Sequence, residues 1–216
     1  MKFQSEKIEL VGAVGKLEAV IDNRSEIVNQ TYIAVCCHPH PQHGGAMGNK
    51  VIYTASRALA GLGIVSIRFN FRGVGESEGE YANGNGEQDD LKAVVDWVKQ
   101  QYPNRKLILC GFSFGAYITC LQASELKPTL LVSIAPPIGR IEFTGFSRPK
   151  SPWLVIQGID DELVDAEQVA KWSDDFLPPA KLIKMPETSH FFHGKLVELR
   201  SNIESFVSQQ LLLKNH

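Results

Sequence analysis

Residues Ile108–Tyr117 read ILCGFSFGAY: an apolar run that ends at a serine with a glycine two places before it and another two places after. The preceding residues, LILC, have the continuous apolar character of a buried strand, and the following AYITCLQASEL carries apolar residues at helical spacing. Ser113 therefore falls on a strand–turn–helix junction, the setting a nucleophile elbow requires. The need for glycine is steric. A serine pushed to positive φ on a sharp turn leaves no room for side chains where strand and helix pass close. Such a turn lifts the hydroxyl above the sheet at a helix N-terminus, where the N–H of Phe114 and the helix dipole favour a developing oxyanion.

The flanking sequence repeats this alternation. Apolar runs at Tyr32–Cys37, Ile64–Phe69, Lys106–Cys110, Leu130–Ile134, Trp153–Gln157 and Lys181–Met185 read as buried parallel strands. Two earlier runs, Lys7–Val11 and Lys16–Ile21, alternate apolar with polar and are joined by a turn containing Gly12 and Gly15, which predicts an antiparallel hairpin at a sheet edge. Helical periods cover Asn49–Leu62, Glu87–Tyr102, Phe114–Leu126, Asp165–Phe176 and Lys195–Leu213. The sum is a three-layer α/β fold, a mainly parallel eight-stranded sheet with helices on both faces. Residues 1–216 are expected to form one domain, since the length suits a single core and no repeat or low-complexity tract interrupts it. The Ile138–Pro152 crossover alone lacks a helical period.

Composition excludes several functions. Hydrophobic residues make up 44% and charged residues 21% of the chain, as in ordinary globular proteins. The net charge of −2 comes from scattered charges, with no basic footprint for nucleic acid or an anionic membrane. The N-terminal MKFQSEKIEL has no apolar signal region and no stretch approaches a membrane span, so the expected location is cytoplasmic. Cys36, Cys37, Cys110 and Cys120 lie inside apolar runs and are expected to be buried reduced thiols.

A serine hydroxyl is a poor nucleophile until a base takes its proton and a further group orients that base. Strand Trp153–Gln157 is followed by Gly158-Ile159-Asp160-Asp161-Glu162, and strand Lys181–Met185 by PETSHFFHG with His190 and His193. Carboxylate and histidine thus both arrive at strand ends, in the order Ser, Asp, His, with Asp160 or Asp161 and His190 or His193 open as candidates.

Together the blocks HPHPQHGGAMGNK, RFNFRGVGESEGE, GFSFGAY, SIAPP, WLVIQGIDDELV and HFFHG resemble the α/β-hydrolase superfamily along nearly the whole chain, and within it small lid-less hydrolases related to dienelactone hydrolase. The resemblance implies that the acid is Asp161, from the pattern Gly-x-x-Asp-x-x-Val closed by Val164, with Asp160 as runner-up. It implies that the base is His190, which opens the HFF segment, and leaves His193 as a cap or surface residue. The relatives' His-Gly-x loop maps onto His38-Pro39-His40. The N–H of His40 is then expected to join that of Phe114 in the oxyanion hole, with Gln42 or a later loop N–H as alternatives.

The implied activity is hydrolysis of a carboxylic ester or thioester of a small soluble acyl substrate, through an acyl-enzyme and without cofactor or metal. The short crossover leaves no or minimal lid, which disfavours lipase action. A serine peptidase or amidase shares every residue named, and a non-catalytic binding protein of the same fold is the third alternative.

Other groupings have plainer readings. Five of six histidines cluster as His38/His40/His43 and His190/His193, but a metal site would leave the elbow unexplained. His38 is expected to make structural hydrogen bonds at its strand end. The Gly73–Gly79 loop carries Glu76 and Glu78 with Glu80 beyond, which would repel phosphate, and Arg72 beside it reads as structural or as a rim residue. Asp89 and Asp90 are expected to complement the dipole of their helix. Phe112, Phe114, Phe191 and Phe192 suit an acyl pocket and core packing about equally.

Overall fold

A computed structural model describes residues 3–24, 29–143 and 146–213. In chain order the elements are β1 (Phe3–Gly12), β2 (Gly15–Arg24), β3 (Tyr32–Cys37), α1 (Lys50–Gly61), β4 (Val65–Phe69), α2 (Asn85–Gln101), β5 (Lys106–Phe112), α3 (Phe114–Leu126), β6 (Leu130–Ile134), β7 (Trp153–Gly158), α4 (Ala166–Asp174), β8 (Lys181–Met185) and α5 (Leu196–Leu213). A single 3₁₀ turn, Pro41–His43, follows β3. The strands form one sheet in the order β1-β2-β4-β3-β5-β6-β7-β8. β1 and β2 run antiparallel, as do β2 and β4, and every pairing beyond is parallel.

The continuously apolar strands are buried on both faces because successive residues feed opposite layers. Val35 and Cys37 of β3 pack with Leu109, and with Leu91 and Val94 of α2 and Ile118 of α3. Ala34 and Cys36 pack on the other side with Ile108, and with Ile52 and Leu59 of α1 and Ile203 and Phe206 of α5. All four cysteines are buried and unpaired, as expected. Among the described residues no helix is long and apolar enough to cross a membrane.

The structure departs from expectation in four places. The hairpin strands are ten residues each, because the ladder continues outward from Leu10↔Leu17 to Phe3↔Arg24 although residues 4–7 bury little. β5 runs on through Gly111 and Phe112, which pair with Ser133 and Ile134 of β6. β8 is not a buried strand: it pairs with β7 alone, and only Met185 is fully buried. Asp90 does more than complement a dipole. It is fully buried and grips Arg72, accepting from Nη2 at 2.8 Å and from the Arg72 backbone N–H at 2.9 Å, while Asp89 stays exposed. Arg72 is thereby structural. A second buried pair, Asp22 with Arg68 at 2.6 Å, also takes hydrogen bonds from Ser5 and Ser56 and ties the hairpin to α1 and β4.

Candidate active site

Ser113 occupies the link between β5 and α3 with φ 52° and ψ −116°, a left-handed region that a side chain adopts only under constraint. Its N–H donates to the Ile134 carbonyl at 2.9 Å, and its carbonyl accepts from Ala116 and Tyr117, so the turn is bonded to the sheet before it and the helix after it. Both flanking glycines are obligatory. A Cβ on Gly111 would stand 2.5 Å from the Ala116 nitrogen and closer still to the Gly115 carbonyl oxygen. One on Gly115 would stand 2.5 Å from the Cys37 carbonyl carbon and 2.7 Å from the His38 carbonyl oxygen, where α3 crosses the end of β3.

The loop after β8 brings His190 to this turn, and the loop after β7 brings Asp161 to His190. His190 Nε2 lies 3.1 Å from Ser113 Oγ, and His190 Nδ1 lies 2.8 Å from Asp161 Oδ2. The Asp161 carboxylate also accepts from the N–H groups of Leu163 (2.9 Å) and Val164 (2.8 Å) and from Gln157 Nε2 (2.8 Å). Burial opposes its ionisation, but the His190 hydrogen bond and charge and the two backbone donors outweigh this and hold its pKa below the usual carboxylate value. A carboxylate on Nδ1 assigns the proton to that nitrogen and leaves Nε2 to accept from the serine hydroxyl.

The competing residues stand elsewhere. Asp160 is exposed, its N–H bonded to the Thr188 carbonyl, and His193 is exposed beyond Phe191. Glu162, given no role from sequence, accepts the His190 backbone N–H at 3.1 Å. The four phenylalanines divide: Phe112 and Phe192 are buried in the core, Phe112 against the His190 ring and Phe192 against Phe112, whereas Phe114 and Phe191 line a cleft of about 300 Å³ at Ser113.

His38 is buried, with Nε2 accepting the Phe71 N–H at 3.0 Å and Nδ1 donating to the Pro39 carbonyl at 2.6 Å. Burial pushes its pKa down to about 4, so it stays neutral and structural, as expected. His40 lines the cleft together with Ser113 and Phe114. Its Nδ1 accepts the Gln42 N–H at 3.3 Å, capping the 3₁₀ turn, and its Nε2 lies 3.1 Å from the Tyr81 hydroxyl. Tyr81 is a further residue that sequence reading passed over. Gly45 lets this loop close on itself, since a Cβ there would stand 2.5 Å from the His40 carbonyl oxygen. Among the described residues no group of three or more His, Cys, Asp or Glu side chains is placed to hold a metal ion. In the Gly73–Gly79 loop the Glu78 carboxylate serves the fold by accepting the Lys16 N–H at 2.7 Å, and the Glu76 backbone N–H donates to Glu18 at 3.1 Å.

Residues 40–146 match the family described as serine aminopeptidase, S33. A crystal structure from Xanthomonas campestris, described as an α/β serine hydrolase without lid, is 46% identical, covers 95% of this chain and 94% of its own, and superposes with a TM-score of 0.91. An α/β serine hydrolase homologue from Coxiella burnetii is 44% identical over 93% of this chain and 96% of its own, with a TM-score of 0.89. An uncharacterised Rickettsia prowazekii protein is 34% identical over 186 residues, 81% of this chain and 78% of that one. With the sheet order, the turn at Ser113 and these likenesses together, the chain belongs to the α/β-hydrolase superfamily, with the lid-less α/β serine hydrolases.

Proposed function

We propose that the protein hydrolyses a carboxylic ester or thioester of a small substrate through an acyl-enzyme on Ser113. The observation that carries this reading is the hydrogen-bonded chain from Ser113 Oγ to His190 to Asp161 at the foot of an open cleft. Ser113 Oγ bonds to the acyl carbon as its proton passes to His190 Nε2, and Asp161 stabilises the imidazolium that results. The N–H groups of Phe114, at a helix start where no intrahelical acceptor exists, and of His40 receive the oxyanion. The intermediate collapses with cleavage of the C–O or C–S bond, and His190 returns the proton to the departing alcohol or thiol. Water, deprotonated by the same histidine, then releases the acid and restores the serine. No cofactor enters these steps.

A peptidase or amidase alternative is favoured by one observation, the aminopeptidase family match over residues 40–146, which includes Ser113 but neither Asp161 nor His190. A panel of p-nitrophenyl acyl esters against aminoacyl anilides separates the two, and turnover confined to the anilides would reverse the assignment. A fluorophosphonate probe should label Ser113 in folded protein, and Ser113→Ala should lower kcat by up to about 10⁶-fold. Wild-type protein that stays unlabelled would sink the hydrolase reading and leave the binding-protein alternative.

A further inference from the structure

Arg140 lies on the turn after β6, its N–H bonded to the Pro137 carbonyl at 3.1 Å, and it is an exposed residue of the lining of the cleft that holds Ser113 and His190. The chain has eight arginines. Seven engage their guanidinium groups: Arg57, Arg68, Arg72 and Arg200 with carboxylates, Arg24 and Arg148 with carbonyls, and Arg105 with the Tyr102 ring. Arg140 alone has no hydrogen bond, ion pair or ring contact from its guanidinium among the described residues. Among the described residues no aspartate or glutamate lines the cleft. Asp161 is committed to His190, and Glu142, two residues beyond Arg140, forms no ion pair with it among the described residues.

From this arrangement we infer that the substrate carries an anionic group, a carboxylate or phosphate, held by Arg140. The inference rests on the serine hydrolase reading and adds a substrate class to it. A guanidinium offers a planar fork that such an anion meets with two parallel hydrogen bonds. Arg140 is exposed at the cleft rim beside the apolar Pro137 and Ile141, so an anion can reach the guanidinium from solvent as its ester enters the cleft. An arginine with no binding role would be indifferent to what the serine attacks.

Two matched ester pairs test this and show which half of the ester bears the anion. Mono-4-methylumbelliferyl adipate against 4-methylumbelliferyl hexanoate places the charge on the acyl side. 7-Acetoxycoumarin-3-carboxylate against 4-methylumbelliferyl acetate places it on the leaving side. In one pair the anionic member should have the higher kcat/KM by about tenfold or more, mainly through KM. Raising the salt should shrink that preference. Arg140→Gln should lower kcat/KM for the anionic ester at least about tenfold more than for its neutral counterpart, and Arg140→Lys should recover part of the difference. Equal rates within both pairs, or a preference that survives Arg140→Gln, would overturn the inference. NMR titration of Ser113→Ala with adipate and with phenyl phosphate reads the site without turnover. At least one anion should shift cleft resonances, and neither should do so once Arg140→Gln is added. No binding by either anion would also overturn it, whereas binding without turnover of any ester would defeat the hydrolase reading alone.

Discussion

Replacing Gly115 by alanine drives a methyl group into the main chain of the neighbouring strand. The new carbon would stand 2.5 Å from the Cys37 carbonyl carbon and 2.7 Å from the His38 carbonyl oxygen, against ordinary contact from 3.4 Å. No side chain can rotate away, because the obstacles are backbone at the end of β3. α3 or the His38–His40 loop must therefore shift by about 1 Å, and both carry the proposed oxyanion donors. Overpacking of this kind costs about 1–3 kcal/mol of stability. A misplacement of about 1 Å in the reacting geometry lowers kcat on the order of 10²-fold. The assay pairs urea unfolding with ester turnover, and Gly48→Ala is the control, since a Cβ there meets nothing within 4 Å and its φ is not positive. Gly115→Ala should lose stability and most of its turnover while Gly48→Ala keeps both. A Gly115→Ala enzyme with the stability and kcat of the control would refute the claim that the elbow's second glycine is dictated by sterics.

Asp161→Asn should lower kcat about 10⁴-fold by removing the carboxylate that fixes the His190 tautomer, whereas Asp160→Asn, at an exposed site, should stay within about twofold; equal losses in steady-state ester kinetics would refute the assignment. His38 supplies a pH prediction. Its folded pKa of about 4 lies below the ordinary histidine value of 6.5, so between these values the unfolded chain binds a proton that the folded chain does not. Stability from this source is complete above about pH 6.5 and is lost as the pH falls towards 4, by on the order of 3 kcal/mol. His38→Gln, which keeps an acceptor for Phe71 N–H, should flatten most of that slope in urea titrations at pH 4.5 and 7.5. His40, also pushed downward by burial and by His43, accounts for a remainder. An unchanged slope would show that His38 is not held neutral by the fold.

The parts legible in sequence were those set by local pattern. LILC followed by Gly-x-Ser-x-Gly and a helical period places a turn without knowledge of the rest of the chain, and the alternating residues of β1 and β2 mark a hairpin at an edge. Asp161 was harder, because three acids run in succession and what holds the second inward is its bonding to the Leu163 and Val164 N–H groups, Gln157 and His190. Asp90 shows a related limit: a carboxylate near a helix start complements the dipole on either face, and its burial depends on Arg72, eighteen residues earlier. The Tyr81 contact to His40 spans 41 residues and has no local signature. β8 looked like its neighbours because apolar content does not report how many strands flank it.

That outer position of β8 separates two kinds of failure. The proposed nucleophile is mounted at the middle of the sheet, but its proposed base hangs from a loop carried by an edge strand, which has one hydrogen-bonded neighbour. Strands so placed open at a lower free energy than the centre. Fraying at this margin would withdraw His190 while β3, β5 and β6 stayed intact, so the proposed activity would be lost and regained without global unfolding.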